Sequence, residues 1–264
     1  VSRGEENHEL DENLGDAILR TLSHHIESAP PTIGVVGVSG VGKSSTINAL
    51  FKTDLPVSDT VARTKEFESV DLSVQFRPRS APHIGAVPPS VFAPQVRLRV
   101  LDAPGLGENP RSDETYLRSY REHLPGCDAI LWVLAARSRA MALDQHYLTE
   151  LADFRERMVF GVNQVDAVEP AEWRRASNRP SPRQESNIGE ILADRTVRLT
   201  DIVGPDPTVI GYSSRHGYRL DQLFQALLTV CPSRRQWMFA GLKNFSHRDF
   251  GVDRVRPIDR KDAL

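Results

Sequence analysis

The stretch GVSGVGKS at 37–44, immediately after the apolar run TIGVV, constrains this chain more than any other feature. Three glycines let a backbone turn tightly enough for successive N–H groups to converge on one anion, and a helix starting at the lysine adds the positive end of its dipole. The spacing GxxxxGK[ST] between a strand and a helix therefore predicts a phosphate cradle. In that cradle the backbone amides of Gly37, Gly40, Val41, Gly42 and Ser45 face the phosphates. Lys43 reaches the β and γ positions, and the Ser44 hydroxyl is offered to Mg²⁺.

The body of the chain alternates between two periodicities. Strands are expected near 33–38, 67–76, 96–102, 128–135, 157–163 and 207–211, and helices near 43–52, 113–124, 143–155, 184–200 and 219–230. That alternation predicts an α/β fold of three layers, which together with GVSGVGKS resembles a P-loop NTPase sandwich. Its six-stranded, mostly parallel sheet would have helices on both faces. Leu10, Leu14, Ile18, Leu22 and Ile26 recur every four residues, which predicts an amphipathic helix within an N-terminal segment, 1–29, ended by Pro30-Pro31. The main domain is expected over 30–231. It carries a proline-rich insertion at 77–94 and a second, partly basic loop at 169–183 whose WRR, with Arg179 and Arg183, is read as exposed. Residues 232–264 read as a solvated basic tail.

Bulk properties disfavour several classes. A formal net charge of −2 gives no global basic field for nucleic acid or anionic lipid. Two cysteines cannot build a disulfide framework and suit a reducing cytoplasm as buried thiols. The longest apolar run, AILWVLAA at 129–136, is far shorter than the ~20 residues of a membrane-spanning helix. A soluble cytoplasmic protein with no transmembrane segment is the expectation, and Val1 in place of methionine suggests a trimmed chain. Eight histidines are scattered without metal-ligand spacing. Trp132 falls in a buried-strand pattern.

Three later segments specify the phosphate compound. RLRVLDAPGLGE at 97–108 is an alternating strand running into Asp102-Ala103-Pro104-Gly105. Such a DxxG sets a carboxylate to hold Mg²⁺ through water, and the Gly105 N–H to sense a γ-phosphate. RMVFGVNQVDAV at 157–168 ends a strand in Asn163-Gln164-Val165-Asp166. The Asp166 carboxylate there can accept from both N1–H and N2–H₂ of guanine, a donor pair that adenine lacks, and Asn163 is expected to read the base beside it. VIGYSSRHG at 209–217 then supplies Ser213, Ser214 and Arg215, whose backbone can receive guanine O6. Together these signals point to GTP or GDP with Mg²⁺.

GVSGVGKS, DAPG, NQVD and SSR stand where the Era-like, translation-factor-class P-loop GTPases have their motifs, and over about 30–230 the chain resembles that family. A closer likeness, in residues 124–148 and in NQVDAVEPAEW followed by PSPRQESNI, is to the prophage-associated, YfjP-type bacterial GTPases. The resemblance implies a switch I threonine coordinating Mg²⁺. In VSDTVARTKEFES the TKE favours Thr64 over Thr60. Lys43, Thr64 and Gly105 are then the groups that act on the γ-phosphate, with Ser44, Thr64 and Asp102 around the metal.

Departures from the pattern matter equally. Leu106 occupies the place of a water-orienting glutamine, which implies turnover on the order of 10⁻⁴ s⁻¹ or lower unless a partner, a second protomer or potassium helps. Gly40 replaces the asparagine of potassium-dependent relatives and resembles septin- and Toc-like chains, which pair across the nucleotide; a nucleotide-dependent homodimer is therefore expected. Gln164 replaces the usual lysine and implies reduced packing on the base. Arg63, Arg137 and Arg139 are candidate arginine fingers, with solvated loop residues as the commoner reading. The rival to a hydrolase is a nucleotide-regulated assembly module with negligible turnover. A ribosome- or RNA-associated role ranks below both, and the protein effector is unknown.

Overall fold

The computed structural model describes residues 21, 28–57, 66–74, 96–107, 110–138 and 141–258. The expected N-terminal helix, the proline-rich insertion, Thr60, Arg63, Thr64 and Arg139 lie outside these residues, Thr21 and Ser28 excepted.

The strands are β1 (Thr32–Val36), β2 (Glu68–Val74), β3 (Arg97–Asp102), β4 (Ala129–Ala135), β5 (Met158–Asn163), β6 (Trp173–Arg174), β7 (Arg179–Pro180), β8 (Val209–Gly211) and β9 (Phe250–Pro257). The helices are α1 (Lys43–Phe51), α2 (Pro110–His123), α3 (Ala142–Glu150), α4 (Pro182–Val203), α5 (Leu220–Leu227) and α6 (Gln236–Leu242). Seven strands form one sheet in the order β8-β5-β4-β1-β3-β2-β9. From β8 to β3 the pairing is parallel, whereas β2 runs antiparallel to both β3 and β9. Parallel interior strands are covered on both faces, and β1 and the first six residues of β4 are accordingly buried throughout.

Helices divide between the two faces. Ile47, Leu50 and Phe51 of α1 share a core with Leu223, Phe224 and Leu227 of α5 and Phe239 of α6. Tyr120 of α2, Tyr147 and Leu148 of α3, and Ile188 and Leu199 of α4 pack on the other face around Trp132 and Phe160. The fold is the expected three-layer α/β sandwich, and both cysteines are buried free thiols.

The sheet departs from expectation at one edge, having seven strands instead of six. The segment after Pro232, read as a solvated tail, instead folds back. Met238, Phe239 and Leu242 of α6 are buried, and Phe250 at the start of β9 packs edge-on against Phe51 and Phe224. Its basic residues disguised it: β9 is an edge strand, where charge is tolerated on both faces and alternation is lost.

One buried carboxylate costs stability. Asp144 on α3 is 5 % exposed and accepts a 2.9 Å hydrogen bond from the Trp132 indole. Burial pushes its carboxyl up to about 6, outweighing the indole bond and nearby Arg195. Below about pH 4 both folded and unfolded states hold the proton. As pH rises towards 6 the unfolded chain releases it first, so this contribution to stability is lost, by about 3 kcal/mol in total. Asp144→Asn keeps an acceptor for the indole without the charge. It is expected to raise the melting temperature by several degrees at pH 8 and not at pH 4. An equal gain at both pH values in thermal melts would exclude ionisation as the cause.

Candidate functional site

All the candidate motifs within the described residues gather at the carboxyl ends of β1, β3, β5 and β8, where ligands of open parallel sheets bind. β1 leads into the glycine-rich loop and α1 begins at Lys43 with no side-chain cap and no acidic residue in its first turn. An uncapped N-terminus leaves its N–H groups for an anion. The Lys43 side chain is 7 % exposed and its Nζ donates to the carbonyls of Gly37 (3.2 Å) and Val38 (3.1 Å), so the ammonium arches over the loop. Gly42 has φ 91° and a Cβ there would stand 2.6 Å from the Asn163 Nδ2. No other residue tolerates both constraints.

The loop after β3 is tied to the phosphate loop. Ser39 N–H donates to the Leu106 carbonyl at 2.8 Å and Leu106 N–H to the Gly37 carbonyl at 3.3 Å. A Cβ on Gly105 would lie 2.8 Å from the Ser39 Cα, so the approach itself requires glycine. Tyr120 donates to the Pro104 carbonyl at 2.6 Å, and burial pushes its phenol far above the ordinary range, which keeps the proton in place. Asp113 accepts from Gly107 N–H at 3.0 Å and from the Tyr147 hydroxyl at 2.7 Å, bracing the same turn from α2 and α3. The Leu106 side chain is fully buried and faces the core rather than the loop mouth.

Ser44 and Asp102 meet: the serine Oγ donates to the carboxylate at 2.6 Å, and Asp102 is fully buried. Among the described residues no group of three His, Cys, Asp or Glu side chains could hold a metal. Mg²⁺ prefers hard oxygen ligands and is held by one or two protein groups plus phosphates and water. A hydroxyl and a buried carboxylate in contact fit that pattern.

The end of β5 and the turn after β8 form one unit. Asn163 is 1 % exposed and spends both ends of its amide on backbone, donating to the Val41 carbonyl (3.1 Å) and accepting from Ser214 N–H (3.1 Å). It is a strut between the glycine-rich loop and the turn after β8. Asp166 accepts from Ser213 Oγ at 2.6 Å, and His216 Nε2 lies 3.9 Å from its second oxygen. Gln164 adopts φ 64° and Arg215 is exposed.

Sequence reasoning missed the scaffold behind this turn. Gln184, fully buried near the start of α4, donates to the carbonyls of Asp166 (3.0 Å) and Val168 (2.9 Å) and more weakly to that of Val165. The loop at 169–183 is a short hairpin, β6-β7, rather than a free basic loop. Trp173 stacks on His216 with centroids 4.8 Å apart and meets Tyr218 edge-on. Asn178 accepts from the Trp173 indole and donates to the His216 carbonyl at 2.9 Å. The available signal was a tryptophan next to a PSPRQ helix start, in which Ser181 caps α4 by accepting from Gln184 N–H.

Residues 32–164 match the family described as 50S ribosome-binding GTPase, half of the chain. The chain belongs to this family of P-loop GTPases. YfjP of Escherichia coli (strain K12) is 35 % identical over 217 residues, covering 81 % of this chain and 65 % of its own length. YkfA of the same organism is 28 % identical, with 85 % and 70 % covered. The chain thus spans slightly less than two thirds of YfjP. Among solved structures, Era in complex with MgGDPNP and a 16S ribosomal RNA segment superposes with TM-score 0.54 at 18 % identity, over 77 % of this chain and 57 % of that one. Era of Aquifex aeolicus bound to GDP·AlF₄⁻ gives 0.52 at 19 %, over 76 % and 57 %. At such identities the likeness is one of fold. Among the described residues no helix is long and apolar enough to cross a membrane.

Proposed function

We propose that this GTPase-family chain binds GTP and GDP with Mg²⁺ and hydrolyses GTP slowly as a molecular switch. The carrying observation is the Asn163 strut, which fixes the Asp166 turn against the phosphate loop, so that one ligand spans both. In this reading the amides of Gly37, Gly40, Val41, Gly42, Ser44 and Ser45 and the Lys43 ammonium hold phosphates. Asp166 reads the guanine edge, with the Ser213–Arg215 turn facing O6. Ser44 and Asp102 hold Mg²⁺ together with Thr64, and the Gly105 N–H senses the γ-phosphate. Bound Mg²⁺ would neutralise charge on the β and γ oxygens.

A buried Leu106 cannot orient a water molecule, so the missing catalytic group comes from outside this loop. Gly40 is exposed at its tip, where a second chain could approach, and a nucleotide-dependent homodimer is the source we favour over an unidentified protein effector. The same Leu106 supports a second reading, an assembly module with negligible turnover. Phosphate release measured at several protein concentrations separates them. A rate per chain that rises with concentration, for GTP and not ATP, is expected. Release absent at every concentration would leave the assembly module, and failure to retain guanine nucleotide at all would defeat both.

A further inference from the structure

We propose that a second cavity, away from the nucleotide site, binds a small phosphate-bearing anion. It opens where the C-terminal end of α2, β2 and the turn before α6 converge, with a volume of about 310 Å³. It meets β1 at Thr32, the first residue of that strand, whereas the phosphate loop follows the last.

Among the described residues its walls carry Arg99, Arg157, Arg234, Arg235 and Arg256 against one lining carboxylate, Asp128. Three of the five have carboxylates close by: Arg235 pairs with Asp128 at 2.6 Å, Arg99 with Asp71 at 2.7 Å, and Arg256 Nε lies 3.9 Å from the second oxygen of Asp71. Arg157 is held instead by neutral acceptors, donating to the carbonyls of Cys127 (2.9 Å) and Pro125 (3.3 Å). Those bonds fix the guanidinium plane, with no carboxylate among its hydrogen-bond acceptors in the described residues. Arg235 is likewise braced by the carbonyls of Ala29 and Pro30. Arg234 is exposed at the rim. Fixed guanidinium forks suit the tetrahedral oxygens of phosphate.

Deeper in, two buried polar atoms lack a hydrogen-bond partner. Among the described residues the Oγ of Ser69, which is 2 % exposed, has no partner, and His123 Nε2 is also unsatisfied. The His123 ring is locked by stacking on Phe67 at 4.6 Å and by its Nδ1, which donates to the Ser119 carbonyl at 2.8 Å. A buried polar group without a partner calls for a ligand or water. An anion could take the serine hydroxyl, and the imidazolium N–H when His123 is protonated. A concave site of this volume admits a compact molecule; a nucleic acid strand needs an extended basic surface.

The test uses the full chain saturated with Mg²⁺ and a non-hydrolysable GTP analogue, so that the phosphate loop is filled. Calorimetric titration with inorganic phosphate, and separately with phenyl phosphate, is expected to show one site per chain with Kd of about 1 mM or below. Arg234→Glu, at an exposed position, should weaken binding by at least about tenfold without altering analogue affinity. Ser69→Ala should weaken it too, with an unchanged melting temperature as the control for folding. Absence of saturable binding, or equal binding by native chain and Arg234→Glu, overturns the proposal; the latter means an adventitious ion only. Retention of a single-stranded RNA through Arg234 when phosphate does not bind overturns it as well. The cavity does not depend on the nucleotide assignment, because a chain that fails to bind the analogue can still be titrated.

Discussion

Asp166→Asn is expected to lower affinity for GTP by about two to four decades and to raise it for the xanthine nucleotide. In the proposed site two guanine donors converge on this carboxylate, each charge-assisted bond contributing ~1.5–3 kcal/mol. Asparagine presents an NH₂ to one of them, so that one bond is lost and a donor faces a donor. Xanthine carries a carbonyl in place of the guanine amine, and that carbonyl can accept from the new NH₂. The turn should survive, because Ser213 Oγ, now 2.6 Å from the carboxylate, can donate to the amide oxygen equally well. Fluorescence titration with GTP and XTP measures both changes. An unaltered GTP affinity would remove Asp166 from the base site.

Lys43→Ala is expected to reduce GTP hydrolysis by about 100- to 1,000-fold, the loss typical when one donor to a developing oxyanion is removed. Alanine is the best helix former, so α1 should keep its first turn. The carbonyls of Gly37 and Val38, which now accept from the ammonium, open to solvent or the ligand. Release of labelled phosphate under single-turnover conditions gives the rate directly. If it were unchanged, the hydrolysis would not come from this loop.

Much of the nucleotide site was legible because its constraints are local. A strand, a glycine turn and a helix in succession fix the phosphate loop whatever surrounds it, and the loops after β3, β5 and β8 end strands with strong apolar patterns. What escaped was tertiary. Asn163 reads in sequence as a base-contacting residue, yet both ends of its amide are spent on backbone from two other loops. Gln184 lies eighteen positions beyond Asp166 and supports it through one side-chain amide, a pairing that no periodicity encodes. Trp173 sits in a loop too short and polar to suggest a hairpin, and its partner His216 is forty-three positions away. The edge strand β9 escaped for a different reason. Its register with β2 includes a bulge at Asp71 and Leu72, and Val252 to Val255 are exposed in succession, so much of its pairing rests on backbone bonds that leave little trace in composition.

That last strand carries a consequence for where this protein can be cut. A chain ending at residue 231 would retain every nucleotide motif and look complete by that standard. It would also expose the whole hydrogen-bonding rim of β2, which β9 covers from Glu68 to Val74. An uncovered strand of that length invites pairing with another molecule. Motif boundaries and folding boundaries differ here by more than twenty residues, and a shortened version would be prone to stick to itself for reasons unrelated to GTP.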